Sequence, residues 1–320
     1  MNKFLTALVP LVLPVVLFTS YAQTADAASY DANLKVLANL QAQLRVLQSQ
    51  LEKSQSTTAE EEWKFNYSKT KLKLGLEKED ETYDEDDQVK RYLVQNSRLY
   101  ENGKWTKNTD TDEYKIWNIF AEIAGDNFVD DYMTRYATYR NMDTSVLGFV
   151  ELLDERASFW GLAVNANASD FSNAKWTRDL VGVLIHEYTH VLTLNASQVT
   201  HKKKKEGSCN GTYLSLKGCS KKHSYINAFV TEFWDEEDLN HKMTNSSYYK
   251  EHKEDFVTKY AVKNPEEDIA ESFTQFILYE KPTGSKEEDL KVAFFYEYPE
   301  LVKMRTRIRE AVKEYYVKVE

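Results

Sequence analysis

The run Val181–Leu194, VGVLIHEYTHVLTL, limits what this chain can become more than any other stretch. On an α-helix, residues four apart share a face. His186 and His190 then aim two imidazoles at one point, and Glu187, one step round, reaches a water held there. That is the mechanical content of the H-E-x-x-H arrangement with which zinc activates water. An amphipathic helix with histidines at the rim of a core would show the same five letters. The flanks weigh against it, because Val181, Val183, Leu184, Ile185, Val191 and Leu192 are all apolar. Burying two histidines and a glutamate among them is costly unless they are paired or bound to a metal. Ser172, Asn173 or Thr177 can cap the start of this helix, and Asn195 falls where it should end.

A catalytic zinc takes three protein ligands and leaves one position open to water. The H-x-x-G-x-x-H continuation does not supply the third, since Thr193 and Ala196 occupy its glycine and histidine positions. His201, His223, His241 and His252 sit in lysine-rich, acidic or polar contexts typical of surface loops. The stretch Phe256–Phe273 offers more. Pro265 suits a helix start, and Glu266, Glu267 and Asp268 suit a first turn. Glu267 and Glu271 share a face beside Ile269, Ala270, Phe273 and Ile277, and carboxylates on a buried face need a cationic or metal partner. Glu267 as ligand, with Glu271 bonded to a ligand histidine from behind, supplies one. The helix dipole alone accounts for Glu266 and Asp268 but poorly for Glu271.

HEYTH followed by Tyr260-x6-Glu267-x3-Glu271, within the helix pattern E-D-x-A-E-x-F, resembles the zinc peptidases whose third ligand is a glutamate. Among them it is most similar to the anthrax-lethal-factor-like group and to a family of bacterial zinc-binding metallopeptidases. The similarity runs from about Val89 to the C-terminus and takes in Cys209 to Trp234 and Phe294 to Arg305. It implies an α+β, zincin-like fold: a small twisted sheet with an edge strand, the HEYTH helix beneath it, and a mainly helical C-terminal half. It implies one zinc ion on His186, His190 and Glu267, with Glu187 as general base and Tyr260 hydrogen-bonding the oxyanion. The expected activity is peptide-bond hydrolysis outside the cytoplasm. A cell-wall zinc amidase and a non-catalytic binding protein of the same fold are the alternatives.

The remaining chain frames that core. Residues 1–27 read as a signal peptide: Lys3, an apolar stretch from Phe4 to Phe18 broken by Pro10 and Pro14, then small residues. No later run is long enough to span a membrane, so the cleaved protein is expected to be secreted or held in the cell envelope. Residues 28–88 form a second region. Leu37, Leu40, Leu44, Leu47 and Leu51 alternate spacings of three and four, a seam for self-association or for packing on the chain's own domain. A Ser/Thr/Glu linker, a short strand or hairpin in Trp63–Leu76 and an acidic loop from Glu77 to Asp87 follow. The third region, residues 89–320, is the zinc domain. In it Asn102-Gly103 marks a hairpin turn, and Val146–Leu153 and Phe159–Val164 read as antiparallel strands. FWGLAVNA, the second of these, takes the position that in zinc peptidases is commonly the edge strand along which an extended peptide or protein substrate lies; an ordinary core strand reads the same. The only cysteines, Cys209 and Cys219, read as a disulfide in an exported chain. The net charge of −10 and the absence of a basic aromatic stripe exclude a nucleic-acid partner.

Overall fold

Alternation of outward and inward side chains starts the domain. In Lys90–Gln95 (β1), Tyr92 and Val94 are buried, with Leu93 half-buried between them and Arg91 and Gln95 exposed on either side. Asn96 and Ser97 then turn the chain at positive φ, and Asn102-Gly103 turns it again at φ 50° and 73°. These join Arg98–Glu101 (β2) and Lys104–Trp105 (β3) into a meander, with the second turn where its sequence places it. A computed structural model describes residues 89–317, apart from 107–108, 141–145, 155, 169, 201–208, 236–238 and 240–245. The expected signal peptide, leucine seam, linker, Trp63–Leu76 strand and acidic loop lie outside the described residues, as do His201 and His241.

Two helices follow: α1 (Asp112–Ala124), capped by the Thr111 hydroxyl, and α2 (Asp126–Tyr132). Gly125 separates them at φ 83°, a left-handed conformation that glycine adopts without steric cost. Met133–Tyr139 (β4), Gly148–Leu152 (β5) and Trp160–Asn165 (β6) complete a six-stranded mixed sheet in the order β3-β2-β1-β4-β6-β5. The α+β class is thus observed.

One expectation is corrected. FWGLAVNA is not at the edge, because β6 pairs in parallel with β4 and antiparallel with β5. Every residue of β6 is buried. The edge belongs to β5, Gly148–Leu152.

Helix α3 (Ala174–Leu194) begins where Asn173 accepts from the Lys175 and Trp176 N–H groups, and it ends at Asn195. Beyond it, Val199–Thr200 (β7), Leu214–Ser215 (β8) and Gly218–Ser220 (β9) make a small second sheet, closed by a Cys209–Cys219 disulfide. Tyr225–Phe233 (α4), Ser246–Glu251 (α5), Pro265–Leu278 (α6), Glu287–Phe294 (α7) and Pro299–Val317 (α8) make the second half helical. The core is shared by sheet and helices, and α3 packs against α6, α1 and α8.

Helix α8 also finishes its neighbours. Neither α1 nor α6 has a basic residue in its last turn. Arg307 donates to the Glu122, Ile123 and Ala124 carbonyls of α1. Arg305 donates to Phe276 and Tyr279, and Arg309 to Ile277, Leu278 and Tyr279, at the end of α6. Guanidinium groups so placed satisfy orphan carbonyls and oppose the negative end of the dipole.

Candidate metal centre

Two helices crossing below the sheet bring the site together. On α3, the i,i+4 spacing puts His186 and His190 one above the other, with Nε2 atoms 3.0 Å apart. On α6, Asn264 caps the helix by accepting from the Glu267 N–H, and Pro265 occupies the first turn. Glu267 Oε2 then stands 3.0 Å from His186 Nε2 and 3.3 Å from His190 Nε2. His186, His190 and Glu267 are the group of metal-ligand type found among the described residues. All three are buried.

This donor set fits a metal ion. A tetrahedral ion with bonds of about 2.0–2.1 Å spaces its ligand atoms about 3.3 Å apart, close to the three separations here. The proton count points the same way. His186 Nδ1 lies 2.7 Å from Glu271 Oε1, an ion pair when the imidazole is protonated. A neutral His186 with its proton on that side turns an Nε2 lone pair toward His190 and Glu267. One proton can bridge only one of the three edges of that triangle, whereas a cation at its centre answers all three.

The electrostatics follow. Burial alone would push the His186 imidazole toward neutrality, but Glu267 and Glu271 hold its pKa well above the ordinary histidine value. Burial likewise opposes ionisation of Glu267, and the two histidines overcome it and hold this carboxyl far below its usual range. For Glu187 burial wins and its pKa is raised, although both imidazoles and the Val150 N–H of β5 pull it down. Three carboxylates around two imidazoles need positive charge.

Tyr260 stands on the same side, its ring edge-on to His186 at 5.7 Å between centroids. Burial raises its phenol pKa far above normal, so it is a donor at any physiological pH. Lys263 Nζ sits 3.6 Å from the centre of the Tyr260 ring. Thr258, which sequence reasoning passed over, ties these parts together. Its hydroxyl donates to Glu271 Oε2 at 2.8 Å and accepts from the Tyr260 and Ala261 N–H groups. The sequence signal was a threonine just ahead of a helical turn, where its hydroxyl replaces a backbone partner.

Glu266 and Asp268 were expected to belong to an acidic first turn satisfied by the helix dipole. Both are buried instead, with partners of their own. Glu266 accepts from the Tyr213 hydroxyl and the Leu216 N–H, and Asp268 from Lys291 and the Trp234 indole. Of the other histidines, His223 is exposed and His252 pairs with Asp255, away from the site.

A cleft of about 810 Å³ opens over the triad. Its floor is the α3 face through Gly182, Val183 and His186; Leu147 and Gly148 form one wall, and Gln275, Leu278 and Tyr279 the other. Gly148 allows the closeness of β5 to α3, since a Cβ there would lie 3.1 Å from Val183 Cγ1 and 3.7 Å from Glu187 Cγ. No helix among the described residues is long and apolar enough to cross a membrane. Set against protein-family models, the curated proteins and the solved structures, the chain matches none, so the meaning of this site rests on its own geometry.

Proposed function

We propose that this chain is an exported zinc metallopeptidase of zincin-like fold, with His186, His190 and Glu267 as metal ligands. The observation that carries the reading is the buried triangle of three donor atoms, 3.0–3.3 Å apart, at the floor of a cleft beside an edge strand. His/His/Glu is the donor set of hydrolytic zinc, and bound zinc lowers the pKa of its water to about 7 and polarises a carbonyl. Glu187, next to the first ligand, has its carboxyl pKa raised by burial, which favours its taking up a proton. It takes the proton of the attacking water and returns it to the leaving amine. Tyr260 donates its hydroxyl to the oxyanion, held in place by the Thr258 turn and by Lys263 against its ring.

β5, which among the described strands pairs with β6 alone, offers an edge that suits an extended peptide of any sequence. The disulfide supports an oxidising, extracytoplasmic location. The test is metal analysis of the purified chain together with cleavage of an unfolded protein such as casein. One zinc per chain and chelator-sensitive cleavage support the reading. Release of peptides from peptidoglycan without proteolysis would replace it by an amidase, and zinc without any hydrolysis would leave a binding protein.

A further inference from the structure

Successive residues on an α-helix point about 100° apart, so three in a row sample most of its circumference. At the start of α6 all three are acidic, buried and claimed from different directions. Glu267 meets the histidine pair, and Asp268 meets Lys291 and Trp234 in the core, at 2.9 Å each. Glu266 meets the Tyr213 hydroxyl and the Leu216 N–H, also at 2.9 Å each.

Tyr213 and Leu216 lie inside the loop that Cys209–Cys219 closes. That loop is well anchored. The Tyr213 N–H donates to Asn227 Oδ1 at 3.0 Å, and the Tyr213 carbonyl accepts from the Ser220 N–H and hydroxyl. Its partner strand β9 pairs with β7, just after α3. The hairpin is therefore a strut from the end of the histidine helix to the start of the glutamate helix. A carboxylate oxygen roughly 6 Å from a helix axis moves about 1 Å for a 10° rotation. Metal and catalytic constellations tolerate only about 0.5 Å.

We propose that Glu266, gripped by the disulfide-closed hairpin, is a positioning residue that fixes the rotation of α6 and so places Glu267 as third ligand. The proposal rests on the metal reading of His186, His190 and Glu267. It makes metal affinity, and not stability alone, depend on a loop that is not part of the cleft lining.

The experiment uses the full chain, with zinc affinity read by chelator competition and geometry by the visible spectrum of the cobalt-substituted protein. Glu266→Ala should weaken zinc about 10–100-fold, the range for groups that orient ligands, and shift the cobalt bands. Tyr213→Phe, which keeps the packing and removes one donor, should give a smaller loss of the same kind. The double variant should bind no worse than Glu266→Ala alone, because both changes act through one bond. Glu266→Gln should restore most of the affinity, and joint replacement of Cys209 and Cys219 by serine should weaken it. If Glu266→Ala does not fold, Tyr213→Phe and the serine pair decide. Unchanged affinity and spectrum in folded variants overturn the proposal while the metal reading stands. A wild-type chain that takes up neither zinc nor cobalt overturns both.

Discussion

Nδ1 of His186 stands 2.7 Å from Oε1 of Glu271, and the Thr258 hydroxyl closes on the other oxygen of the same carboxylate at 2.8 Å. One side chain thereby fixes which nitrogen of His186 faces Glu267 and anchors the turn that carries Tyr260. Glu271→Ala should lower zinc affinity about 10–100-fold with little change in fold. Chelator competition measures it. Affinity within twofold of wild type would show that His186 needs no such support.

Glu187 offers a cleaner separation of binding from chemistry. It lines the cleft and is buried, but its carboxylate lies outside the triangle of donor atoms. Glu187→Gln should keep one zinc per chain and cut peptide hydrolysis about 10²–10⁴-fold, the usual worth of a positioned base. A zinc-loaded variant that retains wild-type turnover would remove Glu187 from the reaction.

Gly182 tests the cleft rather than the metal. It lies one turn before His186, and a Cβ built on it meets nothing within 4 Å. Gly182→Phe should fill the cleft floor, leave zinc affinity unchanged and reduce cleavage of large substrates about tenfold or more; a 1 Å misplacement alone can cost about 10²-fold. Equal cleavage by variant and wild type would put the substrate elsewhere.

Local signals were legible and distant pairings were not. HEYTH, a helix cap among Ser172, Asn173 and Thr177, the Asn102-Gly103 turn and the Pro265 helix start all depend on neighbours within a few residues, and each appears in the fold, the cap at Asn173. The pair Glu267 and Glu271 was found because helical spacing exposes a shared face. The edge strand was misplaced because β4, Met133–Tyr139, slots in beside β6, and parallel pairing across an intervening strand leaves no mark on either sequence alone. Glu266 and Asp268 looked like an ordinary acidic first turn. Their partners Tyr213 and Lys291 are 53 and 23 positions away, and only the folded chain reveals them.

The arginine clamp of α8 predicts stability without function. Arg307 donates to three carbonyls at the end of α1, at 2.6–3.3 Å, and α1 has no basic residue of its own there. Arg307→Ala should cost about 1–3 kcal/mol through orphaned acceptors and a lost counter-charge. Urea unfolding measures it, and zinc affinity should not change, since α1 carries no ligand. A loss below the error of the measurement would mean that water replaces the guanidinium freely.

Glu113 predicts how acid acts on the fold. Its side chain is 3% exposed, with Lys90 Nζ at 2.9 Å and Arg140 Nη2 at 3.3 Å. Burial pushes its pKa up, but the hydrogen bonds and charges of Lys90 and Arg140 outweigh burial and leave it below the ordinary glutamate value. A carboxyl whose pKa is lower in the folded than in the unfolded chain stabilises the fold fully above its unfolded value, about 4.3, and loses that contribution as pH falls through the folded value. Glu113→Gln should therefore be less stable than wild type at pH 7, by about 1–2 kcal/mol given that Lys90 and Arg140 are partly exposed. The gap should close as pH drops from 5 toward 3, because protonation then makes the wild-type side chain resemble the variant. Urea unfolding of both proteins across that range reads the difference directly, and a gap that stays constant with pH would show that Glu113 contributes by shape rather than by charge.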